Sequence, residues 1–94
     1  MEIYILRPFD KNKGIMTDIR GAFVSTDALL DYLEAEGKVS DEFGRVTGRE
    51  NLKEYIIGDN AILKVENTYE ELLPLINIES TVDYYHVSCE KLHE

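Results

Sequence analysis

The chain is short of several things. It has one cysteine, two prolines, no tryptophan, and only 10 Lys and Arg against 19 Asp and Glu in 94 residues. A single cysteine, Cys89, excludes an intrachain disulfide and suits a reducing compartment. No apolar run approaches the length needed to cross a membrane, and the one nearest the start, Ile3-Tyr4-Ile5-Leu6, has no basic residues before it. No membrane contact and a cytoplasmic location are therefore expected. The shortage of cations leaves a net charge of −9. Phosphate affinity comes from Lys and Arg, so direct binding to nucleic acid or to an anionic membrane is disfavoured. Cations and basic proteins remain as partners. Gly44-Arg45-Val46-Thr47-Gly48 lacks the lysine and spacing of a phosphate loop, and no cofactor is expected.

What is present is enough for a folded domain. Hydrophobic residues make up 44% of the chain, with six Tyr and three Phe, more aromatics than a disordered acidic chain carries. Residues 1–94 read as a single domain. Ile3–Leu6 reads as a strand stopped by Pro8. Asp10–Gly14 is a polar turn, and the alternation of Ile15–Val24 predicts a second strand paired antiparallel with the first. Ser25 or Thr26 caps a helix whose apolar positions are Ala28, Leu29, Tyr32 and Leu33, closed by Gly37. Lys38–Glu50 is irregular, anchored by Val39, Phe43 and Val46. Leu52–Ile57 fits either a helix or a strand. Ala61–Val65 is a strand by its β-branched content. Thr68-Tyr69-Glu70-Glu71 is a capping box opening a short helix limited by Pro74. Thr81–Leu92 closes the chain as a strand, with Tyr85, Val87 and Cys89 on one face and Tyr84, His86 and Ser88 on the other. The order predicts an α+β two-layer sandwich: a mostly antiparallel sheet of about four strands with one or two helices on one face.

Candidate chemistry is sparse. His86, Cys89 and His93 are the closest approach to a metal or nucleophile motif. On a strand, however, His86 and Cys89 point to opposite faces and cannot share an ion. The expectation is no catalytic residue and no metal ligand; a small enzyme or metal protein built on these three is the alternative. Charge placement is more suggestive. Asp27, Asp31 and Glu34 recur at i, i+4 and i+7, which places a stripe of carboxylates along one side of the first helix. Glu70 and Glu71 add to the acidic surface. Such a stripe can occupy a basic groove as a nucleic-acid phosphate backbone does. Phe43 is the apolar residue expected to assist it.

Three stretches resemble small phage and prophage accessory proteins: the opening strand Met1–Leu6, the strand-to-helix unit Gly21–Leu33, and the final strand around Tyr84-Tyr85-His86-Val87. The resemblance implies a mobile-element origin, where small acidic anti-defence inhibitors, including anti-CRISPR proteins, are found. The expectation is a non-catalytic acidic protein acting in the host cytoplasm. It would inhibit a basic host or defence protein that handles nucleic acid by covering its cationic surface. An immunity protein or antitoxin against a basic nuclease is a close alternative. A structural or regulatory oligomer, such as a homodimer pairing through a sheet edge, is another.

Overall fold

The computed structural model describes residues 2–57, 60–67 and 81–91, with the side chain of Thr81 excepted. The elements are β1 (Glu2–Asp10), β2 (Ile15–Met16), β3 (Gly21–Phe23), α1 (Thr26–Glu36), β4 (Lys38–Asp41), α2 (Arg49–Ile57), β5 (Ala61–Asn67) and β6 (Thr81–Lys91). The strands form one six-stranded sheet in the order β2-β1-β6-β5-β4, with β3 also paired to β1. Every described pairing is antiparallel. The protein is thus α+β, with two helices packed on a sheet that has two strands more than the sequence suggested. The capping box at Thr68–Glu71 and the helix expected after it lie outside the described residues. No helix among the described residues is long and apolar enough to cross a membrane.

Register sorts the side chains. Tyr4 and Leu6 of β1 stand opposite Cys89 and Val87 of β6, and Val87 and Tyr85 stand opposite Ala61 and Leu63 of β5. Alternation puts this whole set on one face. Leu29, Leu30 and Leu33 of α1 and Leu52 and Ile56 of α2 join it in a single core. Ser25 is the N-cap of α1, its Oγ accepting from the Ala28 amide at 3.1 Å. Phe23 is only partly buried and packs at the edge of the core.

Four local expectations are corrected. Pro8 does not end the first strand, which runs on to Asp10. Its carbonyl accepts from the Thr17 amide, so its missing N–H points toward the same neighbour, where the ladder is broken anyway. The Ile15–Val24 strand is not continuous: three steps along β1 from Phe9 to Leu6 are matched by five from Met16 to Gly21, which makes a bulge. Lys38–Asp41 is a strand rather than irregular chain, because Val39 buries itself opposite Val65. Phe43 does not anchor the segment that follows. It is exposed.

The anchor is Asp41. Its Oδ1 accepts from the amides of Val46 (3.0 Å) and Arg45, and its own amide donates to the Val46 carbonyl at 3.1 Å. These bonds, with the Val46 amide foremost, hold the Asp41 carboxyl below its ordinary value. A depressed folded-state value stabilises the protein fully above the unfolded value of about 4. That contribution is lost as pH falls from there through the folded value. Denaturation across pH 7 to pH 3 should show a shallower acid-side loss of stability in Asp41→Asn than in the parent. An unchanged slope would place the acid sensitivity elsewhere, with Glu66, lowered by Lys64, the next carboxylate to replace.

Candidate binding surface

The outer side of the helix layer gathers the charges. Asp27, Asp31 and Glu34 are all exposed on α1, as their spacing predicts. They are not a bare stripe. Arg49, at the start of α2, reaches Glu34 at 2.7 Å, Asp31 at hydrogen-bond distance and Asp27 at 3.6 Å. Lys53, one turn later, reaches Asp27 at 2.7 Å and Glu50 at 3.7 Å. Hydrogen bonds to Glu34 and then Asp31 raise the Arg49 value, and the bond to Asp27 raises that of Lys53. Both cations are therefore locked in their charged forms. The arrangement needs α2 to be a helix, so that Arg49 and Lys53 share a side at i, i+4. It also needs α2 to lie against α1.

Two carboxylates of this surface escaped the sequence reading. Glu50 and Glu54 are exposed on α2. Glu50 makes one ion pair, to Lys53, and Glu54 makes none among the described residues. Their i, i+4 spacing is legible only once residues 49–57 are known to be helical. The outer helix layer thus carries five carboxylates, Asp27, Asp31, Glu34, Glu50 and Glu54, against two cations.

The other candidates lie apart. Phe43 sits in the turn after β4, where its ring centroid is 5.9 Å from the Arg45 guanidinium carbon and 6.0 Å from Lys11 Nζ. Its neighbours are cations, not the α1 carboxylates. Glu70, Glu71 and His93 lie outside the described residues. His86 and Cys89 are on opposite faces of β6: Cys89 is beside Tyr4 on the helix-covered face, and His86 is buried on the other. No cluster of three metal-ligating side chains occurs among the described residues.

Beside this surface, Arg20 Nε donates to Tyr32 Oη at 3.0 Å and pairs with Glu36 at 3.5 Å, while Tyr85 Oη donates to Glu36 at 2.8 Å. Burial, then the Glu36 carboxylate, pushes the Tyr85 phenol well above its usual range. This network ties the approach to β3, α1 and β6 together and is structural. A cleft of about 500 Å³ beside it is lined by Pro8, Asp10, Lys11, Arg20, Asp83 and Tyr84 among others. Its charges are mixed, Asp10 and Asp83 against Lys11 and Arg20. The fold and this surface define an α+β domain with a paired but net-acidic helix layer. Neither protein-family models, nor curated proteins, nor solved structures yield a match to the chain.

Proposed function

We propose that the protein is a non-catalytic inhibitor that acts in the cytoplasm. It binds a basic, nucleic-acid-handling protein through the outer face of α1 and α2. The observation that carries this is the exposed layer of five carboxylates, four of them paired to two internal cations. Arg49 and Lys53 relieve the repulsion along α1 while leaving the layer net negative. They also hold the carboxylates in place before contact, which lowers the ordering cost of binding. Long-range attraction between an acidic layer and a cationic groove raises the on-rate and fades as salt shortens the Debye length to about 8 Å.

The test is affinity capture from host lysate, followed by kinetics on the captured protein. Glu50→Lys with Glu54→Lys should lower the association rate by about tenfold or more, with an unchanged melting temperature, because neither carboxylate holds the fold. Added salt should weaken the parent complex, and nucleic acid should compete with it. Asp31→Lys with Glu34→Lys should also weaken binding, but there the melting temperature must be followed, since both contact Arg49. A salt-independent affinity, or a stable ternary complex with nucleic acid, would overturn the reading.

A further inference from the structure

One stretch of this acidic chain is both locally neutral and apolar at its surface. Among the described residues, seven large hydrophobic side chains are exposed, and four lie within ten residues along the β2–β3 edge: Ile15 (52%), Met16 (49%), Ile19 (55%) and Val24 (69%). β2 and β3 both pair with β1 on one side, and no described strand pairs with their other side. The only charges from Gly14 to Val24 are Asp18 and Arg20, which cancel. In a chain of net charge −9, a second copy can approach this neutral edge without the repulsion that the acidic helix layer would impose.

We propose that this edge is a self-association surface whose occupant is a second copy of the chain, related by a two-fold axis near Ile19. An antiparallel alignment about Ile19 sets Asp18 beside the partner's Arg20, and the symmetry makes that pair twice. It also brings the apolar residues on either side of the axis, Ile15 and Met16 before it and Val24 after it, against one another. Asp18 forms no ion pair among the described residues, and the Arg20 side chain is 49% exposed beyond its contact with Glu36. The bulge between β2 and β3 turns the amides of Thr17 and Arg20 inward, to Pro8 and Leu6. These inward amides are three residues apart, where a regular strand alternates by two, so the outward amides offer no continuous ladder to a second copy and the contact rests on side chains. Four exposed apolar side chains from each copy and two ion pairs across the axis make a small contact, and so a weak, reversible dimer.

Sedimentation equilibrium tests it. The parent should show a monomer–dimer equilibrium below about 1 mM, a strength of roughly 4 kcal/mol or more. Asp18→Arg faces cation with cation, and Arg20→Asp faces anion with anion, so each alone should weaken the dimer by about tenfold. Mixing the two variants restores both opposite-charge pairs, and the mixture should form a heterodimer about tenfold tighter than either homodimer. Because Arg20 also contacts Tyr32 and Glu36, Ile19→Lys is the companion variant, expected to be monomeric with an unchanged melting temperature. A parent monomeric at every concentration, a mixture no tighter than its components, or a dimer that survives Ile19→Lys would each overturn the proposal.

Discussion

Leu33→Ala should lower the unfolding free energy by about 2–5 kcal/mol, the range for deleting a fully buried leucine whose cavity collapses incompletely. Leu33 has no exposed surface and lies with Leu29 and Leu30 where α1 meets the sheet. A domain of this size has a total stability of about 5–15 kcal/mol, so the loss is large enough to populate unfolded chains. Leu33→Met keeps the volume and should cost less than about 1.5 kcal/mol. Denaturant melts at constant pH measure both. Equal stability in the alanine variant and the parent would mean that α1 does not close the core.

Among the described glycines, Gly37→Ala should be the most damaging replacement, for a reason other than backbone freedom. Gly37 has φ 169°, an extended conformation open to any residue. An added Cβ, however, would stand 2.3 Å from the Glu66 carbonyl oxygen and 2.6 Å from Asn67 Oδ1. The first of these is backbone, fixed by the pairing of Lys38 with Glu66, so relief requires α1 to move away from β5. Overpacking of this kind costs about 1–3 kcal/mol, occasionally more. Gly21→Ala is the control. Its Cβ would meet only the Phe23 ring, at 3.1 Å, and a partly buried ring edge can turn aside. A Gly37→Ala protein as stable as Gly21→Ala would show that the α1–β4 junction does not approach β5 this closely.

Gly37 also shows where reading the chain stops. Its position after Leu33 and Glu36 marks it as a helix end, correctly. That it is glycine because β5 passes beside it depends on the register of residues some thirty positions away, which local spacing does not encode. Residues 49–57 are a second case. Tyr55-Ile56-Ile57 has the composition of a strand, and a nine-residue helix is too short to declare itself by propensity. Burial of Leu52 and Ile56 at i, i+4 against the core decides for helix. Asp41 is a third. Nothing in its neighbours announces a buried carboxylate that organises a turn.

The sequence by itself determined the α+β class, the first helix with a cap at Ser25 or Thr26, a strand opening at Ala61 and another at Thr81, and the opposite facing of His86 and Cys89. Each of these follows from periodicity or capping, which are properties of near neighbours along the chain. The tertiary structure alone decided that the α1 carboxylates are clamped by Arg49 and Lys53, and that Glu50 and Glu54 extend their surface. It likewise decided that Phe43 is exposed and that the Ile15–Val24 strand breaks at a bulge. Charge pairing and edge exposure are set by which elements pack against which, and that choice belongs to the whole core.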